Sequence, residues 1–253
     1  MIPFFEYTTI PLGPITLQVW GLLVALGMAV GLWVFYARAK RRGLDTQIVL
    51  DLGLYMVLGG IIGARLMHVF VYEPAFYLAH PAEIIAFWHG GASSLGGFVG
   101  AAFAAIIFYR TKQFTWSSFV EYLDVGTPGF WLGWAIGRVG CFLIHDHPGT
   151  LSDFVLAVQF PGGARHDLAL YEIFLALDIF IVSWILSAVF VKRRPGFVFI
   201  FATLQYAVVR FFLDFLRTVD VRYAGLTPAQ WGMMGVAIGL TLVIIKSTVR
   251  QPK

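Results

Sequence analysis

The feature that most constrains this chain is a series of seven apolar segments, each about as long as a membrane is thick. A helix needs about 20 mostly apolar residues to cross a bilayer core. Such segments lie near 14–37, 48–72, 94–110, 119–143, 168–191, 196–216 and 228–246. Composition agrees: 13% of the 253 residues are charged and 59% hydrophobic, against roughly 25% and 45–50% in soluble domains. That balance excludes a water-soluble globular fold, and 24 Phe, 8 Trp and 10 Tyr exclude a disordered chain. The expected fold is an all-α integral membrane protein of about seven transmembrane helices, one polytopic domain over residues 1–253. The first segment lies too late and runs too long for a cleaved signal peptide, and its basic flank follows it.

A net charge of +4 would suggest a nucleic-acid partner in a soluble protein. Here the basic residues sit in clusters after alternate apolar segments: Arg38, Lys40, Arg41 and Arg42; Arg110 and Lys112; Lys192, Arg193 and Arg194; Lys246, Arg250 and Lys253. By the positive-inside rule these connections are cytoplasmic, which places the N-terminus outside and the C-terminus inside. No nucleic-acid partner is expected. The connections 73–93, 144–167 and 217–227 then face outward. The longest, 144–167, holds Pro148, Gly149, Pro161, Gly162 and Gly163 and reads as an ordered loop or short hairpin without a helix. With one cysteine, Cys141, no intrachain disulfide can form.

Against this apolar background, ionisable groups within the segments stand out, because each costs about 2.5–3.5 kcal/mol at mid-bilayer. Arg65 lies in GGIIGARLMHVFVY, Arg138 in GWAIGRVGCF, Glu172 and Asp178 in ALYEIFLALD, and Arg210, Asp214 and Arg217 in QYAVVRFFLDFLR. Tyr206, Arg210, Asp214 and Arg217 are spaced 4, 4 and 3, so they share one helical face. Singly, each has a bland reading as a self-neutralising pair or a snorkelling arginine. Together, Arg65, Arg138, Arg210 and Arg217 fall toward one leaflet and outnumber the carboxylates beside them. Excess guanidinium at headgroup depth is suited to holding a phosphate, and phospholipid is the anion available there.

These residues sit in a pattern that resembles the prolipoprotein diacylglyceryl transferases, bacterial inner-membrane enzymes of seven spans. GRVGCF at 137–142 is similar to the family's Gly-Arg-x-Gly-Asn/Cys-Phe signature. Tyr206, Arg210, Asp214, Arg217 and Asp220 resemble its Tyr-x3-Arg-x3-Glu-x2-Arg-x2-Asp. His166 with Leu170, Tyr171 and Glu172, then Gly63, Arg65 and Tyr72, resemble two further elements. WHGGASSLGG at 88–97 is similar to Gly-Gly-x-Ser-x-x-Gly-Gly, and LTPAQW at 226–231 to the start of the family's last span. The resemblance implies transfer of a diacylglyceryl group from phosphatidylglycerol to the lipobox cysteine of a prolipoprotein signal peptide, at the outer leaflet of the inner membrane, releasing glycerol phosphate. It also implies roles. Arg138 and Arg210 would carry the phosphate, with Arg65, Arg217, Ser94, Gly96 and Gly97 at the headgroup. Asp214 and Glu172 would orient the arginines or move protons, and Tyr206 would fix the headgroup. No cofactor or metal would be required.

The chain departs from that pattern in places that bear on chemistry. Leu95 stands where many members have a histidine. His145, Asp146 and His147 replace a common Asn-Gly-Glu, keeping a carboxylate at Asp146. Asp214 replaces a glutamate, and Trp20 a tyrosine. The general base is thereby left open, and His145 or His147, expected to face outward past Arg138, would supply it. Cys141 reads as a small packing residue. His68 and His166 could join His145 and His147 on a metal, but their spacing matches no zinc pattern, and no metal is expected. The glycines at 90–100 fit close helix packing, or a phosphate-cradling loop. Trp116, Trp131, Trp134, Trp184 and Trp231 read as interfacial belt residues. Three alternatives stay open: a non-catalytic phospholipid-binding paralogue, a transferase with another acceptor, and a transporter.

Overall fold

A chain with so few charges satisfies its backbone in lipid by forming helices, and each of the seven apolar segments holds a helix. The computed structural model describes residues 1–13, 15–190 and 194–249. Lys192, Arg193, Arg250 and Lys253 of the basic clusters lie outside the described residues, as does the side chain of Lys246. The helices are α1 Val19–Arg41, α2 Thr46–Met67, α3 Pro74–Ala79, α4 Ser94–Thr111, α5 Trp116–Ile144, α6 Leu168–Phe190, α7 Phe197–Leu213 and α8 Pro228–Val249. Among the described residues, five helical stretches are long and apolar enough to cross a membrane: Val19–Arg41, Thr46–Tyr72, Ser94–Thr111, Leu168–Phe190 and Phe197–Leu216. The apolar part of α8, Pro228–Val243, is shorter. Helix α5 is 29 residues long but carries Glu121, Asp124 and Arg138.

The chain packs as two units. In residues 43–119, α2 and α4 meet through glycine. A Cβ on Gly63 would stand 2.4 Å from the Gly96 carbonyl oxygen, and one on Gly100 would stand 2.1 Å from that of Gly59. Lipid gives helices no hydrophobic reason to associate, so close backbone approach supplies the attraction instead. Between these helices the chain makes a π-turn at His68–Tyr72, the short α3, and 3-10 turns at Pro81–Ile85 and Phe87–His89.

The other unit comprises residues 1–42 and 120–253. Here α1 and α5 repeat the glycine contact, with a Cβ on Gly27 only 2.3 Å from the Gly133 carbonyl oxygen. Buried Asp124 on α5 accepts the amides of Gly196 at 2.7 Å and Phe199 at 2.8 Å, which caps the start of α7. Segment 144–167 is more ordered than a loop. It forms β4 Pro148–Leu151, β5 Val158–Phe160 and β6 Gly163–Asp167, joined by β1 Ile2–Pro3 into a sheet of order β1-β5-β6-β4. Strand β1 runs parallel to β5 and the other pairs are antiparallel. Strands β2 Thr9–Leu12 and β3 Ile15–Gln18 make a separate hairpin.

Candidate active site

Four helix ends converge in the larger unit: the C-terminal ends of α5 and α7 and the N-terminal ends of α6 and α8. Buried Glu172, in the first turns of α6, bridges two arginines. Its Oε2 lies 2.9 Å from Arg138 Nε and its Oε1 lies 3.4 Å from Arg210 Nε. Tyr206 Oη donates to Glu172 Oε2 at 3.1 Å. Arg210 Nη1 also meets Asp214 Oδ1 one helical turn on, and Arg217 Nη1 lies 3.8 Å from the same oxygen and 3.0 Å from Asp220 Oδ2. Arg138 lies over the Trp134 ring at 4.7 Å, and Trp131 packs against Tyr206 at 4.8 Å. Both tryptophans therefore belong to the site, not to an interfacial belt. Arg138, Glu172, Tyr206, Arg210 and Asp214 are all at most 5% exposed.

The network is held from behind by α8. Thr227 and Gln230 form a capping box: the Gln230 amide donates to Thr227 Oγ1 at 3.1 Å, and the Thr227 amide to Gln230 Oε1 at 3.0 Å. Thr227 Oγ1 also donates to Asp214 Oδ2, and Gln230 Nε2 donates to the Phe211 carbonyl at 3.2 Å. The sequence carried this signal, a Thr followed by Pro and, three places on, Gln. Its role in bracing Asp214 needs the fold.

Several expected site residues stand elsewhere. Arg65 is buried in the 43–119 unit and surrounded by carbonyls. Its Nε donates to Ile84 at 3.0 Å, its Nη1 to Gly90 and, at 2.9 Å, to Gly91, and its Nη2 to Glu83 and, at 3.1 Å, to Ala86. All its nitrogens are engaged in shaping that connection, so the expectation that Arg65 grips a headgroup is corrected. With Arg65 removed, the expected guanidinium excess goes too. Arg138, Arg210 and Arg217 face Glu172, Asp214 and Asp220, which is formally neutral. Gly96 packs against Gly63 and Met67, and its amide is capped by Ser93 Oγ at 3.2 Å. It is thus a packing glycine, not part of a cradling loop. Gly97 makes ordinary contacts with α2, and Ser94 is exposed on α4 beside buried Leu95.

His145 is corrected most sharply. It is buried, not outward-facing, with a left-handed φ of 49°. Its ring lies 4.7–5.3 Å from those of Phe4, Phe5, Phe142 and Phe160. Its Nδ1 donates to Asp167 Oδ2 at 2.6 Å, and Nε2 has no polar partner among the described residues. Asp167 also accepts the amides of Ala169 and Leu170 at 3.0 and 3.3 Å, capping α6. Burial pushes the Asp167 carboxyl above the ordinary carboxylate range, against the opposing pull of His145. The pair therefore anchors the sheet to the helix that carries Glu172. His166 pairs with Tyr171 Oη at 2.6 Å, and burial lowers its pKa. His147 differs from both. It is partly exposed and contacts Asp146.

The arrangement can receive an anion. Glu172 and Asp214 hold the two guanidiniums in one buried cluster, where Arg138 Nε and Arg210 Nη1 lie within ion-pair range of carboxylates but make no hydrogen bond among the described residues. Two such planar cations present bidentate donors to a phosphate.

The sequence matches the profile of the prolipoprotein diacylglyceryl transferase family over residues 8–245. Among its relatives, a protein of Nitrosomonas europaea is 34% identical over 255 positions, covering 95% of this chain and 90% of the relative. One from Azoarcus sp. is 35% identical, covering 95% of each. One from Nitratidesulfovibrio vulgaris is 30% identical, covering 99% of this chain and 95% of its own. All three bear the name phosphatidylglycerol–prolipoprotein diacylglyceryl transferase. With its GRVGCF arginine on the shared Glu172, and with matches of this length, the chain belongs to the prolipoprotein diacylglyceryl transferase family.

Proposed function

We propose that this chain transfers a diacylglyceryl group from phosphatidylglycerol to the lipobox cysteine of a prolipoprotein, making a thioether and releasing glycerol phosphate. One observation carries the reading: a buried carboxylate, Glu172, shared by two arginines on different helices, in a chain of this family. Displacing a phosphodiester at the glycerol C3 carbon needs the departing phosphate neutralised and both reactants aligned out of water. Arg138 and Arg210 neutralise it, Glu172 and Asp214 hold them, and Tyr206 orients Glu172. Arg217 extends the positive rim. The acceptor thiol must lose a proton, and with His145 enclosed by phenylalanines this falls to the group of Cys141, Asp146 and His147 at the mouth.

The same reading sets the topology. The chain spans a bacterial inner membrane seven times as one polytopic domain, N-terminus outside and C-terminus cytoplasmic, with α5 and α8 completing the five apolar spans. The site opens to the outer leaflet. Support comes from the alternation of basic clusters and from the arginines gathering at one end of α5 and α7. Depleting a bacterial host of its own transferase and supplying this chain tests the function. Mature, lipid-modified lipoprotein is expected to reappear. Persistent unmodified precursor, with the protein stably inserted, would leave a phospholipid-binding paralogue or another acceptor.

A further inference from the structure

We propose that Arg38, Arg41 and Arg42, with Trp184 and Ser187, hold the phosphate of an anionic phospholipid between the C-terminal ends of α1 and α6. A cavity of about 130 Å³ lies there, lined by these residues and Ala188. It stands apart from the candidate active site: Ser187 follows Glu172 on α6 by 15 residues, about 22 Å of helix. The protein itself fixes two of the guanidiniums. Arg38 donates from Nε to the Val125 carbonyl of α5 at 3.1 Å and from Nη2 to Ser187 Oγ, and it lies over the Trp184 ring at 4.4 Å. Arg42 Nη2 donates to the Ser187 carbonyl at 2.6 Å. Buried Ser187 is held in turn by donating to the Trp184 carbonyl at 2.8 Å. Arg38 Nη1, Arg42 Nε and Nη1, and the whole exposed Arg41 side chain make no hydrogen bond among the described residues.

These arginines also lack a counter-charge. No carboxylate among the described residues pairs with them, whereas Arg138, Arg210 and Arg217 each have one. Asp124, next to Val125, is engaged by the amides of Gly196 and Phe199. Planar guanidiniums with free donors around one cavity suit phosphate oxygens, which accept from them in pairs. Arg38, Trp184 and Ser187 lie about one to two turns inside the ends of α1 and α6, the depth of lipid headgroup and glycerol. A soluble anion would have to leave water to reach it; a phospholipid phosphate is already there. Basic pockets between spanning helices on the cytoplasmic side take anionic headgroups for this reason. The positive-inside rule asks only for charge on this side, and does not account for three arginines converging on one cavity while Lys40 stays outside it. A bound phosphate would tie α1 to α6. Naming the inner leaflet rests on the topology proposed above; holding phosphate does not.

The test incubates the full-length protein in neutral detergent with cardiolipin, phosphatidylcholine or inorganic phosphate, and reads retained lipid by native mass spectrometry and stability by thermal unfolding. Expected are saturable retention of cardiolipin and a melting temperature that rises with it. Phosphatidylcholine should do neither, and phosphate should protect only at far higher concentration. Arg41→Gln is expected to weaken cardiolipin binding about tenfold and Arg41→Gln with Arg42→Gln about a hundredfold. Because the Arg41 side chain holds no other part of the protein, that single variant should fold and form thioether at the normal rate. Lys40→Gln removes the same charge outside the cavity and should change binding little. Equal losses in Lys40→Gln and Arg41→Gln, or no saturable lipid, overturn the site. Saturation by inorganic phosphate at the concentrations cardiolipin needs would assign the cavity to a soluble anion and overturn the lipid. Cardiolipin binding that depends on Arg41 in a chain that forms no thioether supports the site and overturns the transferase reading alone.

Discussion

Glu172 is the residue on which the site turns. Removing its charge leaves Arg138 and Arg210, each about 5% exposed, without the carboxylate they share. Breaking a buried ion pair from one side costs about 3–5 kcal/mol. Glu172→Gln is therefore expected to lower stability by about that amount and to abolish transfer, checked by thermal unfolding in detergent beside a transfer assay. Arg138→Ala is expected to abolish transfer too. His166 gives a pH prediction. Its pKa is depressed by burial, so its contribution is present above the unfolded value of 6.5 and is lost as pH falls through the folded value. Protection of the β6 amides, taken as exchange relative to the intrinsic rate at each pH, should fall as pH drops from 6.5 toward the folded value, and His166→Gln should remove the dependence. Sequence showed at this scale which charges were out of place, since a carboxylate or guanidinium in an apolar run is conspicuous. It did not show their partners. Arg65 and Arg138 look alike in the sequence, yet one ends among carbonyls of residues 83–91 and the other on a carboxylate 34 positions away.

At the scale of elements, bilayer-length apolar runs give a strong signal, and helix was found at each. The outer sheet gave little, because β1 meets β5 across more than 150 residues and its strands are two to five residues long. Glycine is what sets helix spacing in this chain. Gly63→Val would drive a branched side chain into the Gly96 carbonyl and the Gly100 backbone, where even a Cβ stands at 2.4 Å and 2.7 Å. Overpacking typically costs about 1–3 kcal/mol, and rigid backbone raises it. Gly63→Val is thus expected to reduce stable insertion and lower the melting temperature. Gly43→Ala, where the added Cβ meets nothing within 4 Å but φ is +74°, should show only the smaller cost of the left-handed backbone. A thermal-stability comparison of the two variants separates close approach from backbone strain.

For the whole molecule, topology and chemistry make one claim. On the proposed topology, the arginine–carboxylate cluster where α5 and α7 end lies at the outer leaflet, and Arg38, Lys40, Arg41 and Arg42 after α1 lie in the cytoplasm. Labelling with a membrane-impermeant maleimide in intact cells tests this. Asp153→Cys is expected to react at once and Lys40→Cys only after permeabilisation; the reverse order would invert the molecule. The measurement closest to the central claim is mass spectrometry of a lipobox peptide incubated with phosphatidylglycerol and the purified protein, wild type or Arg138→Ala. Equal amounts of thioether-linked diacylglyceryl peptide and released glycerol phosphate are predicted with the wild type, and neither with the variant. Adduct undiminished in Arg138→Ala, or none from a correctly folded wild type, would contradict it.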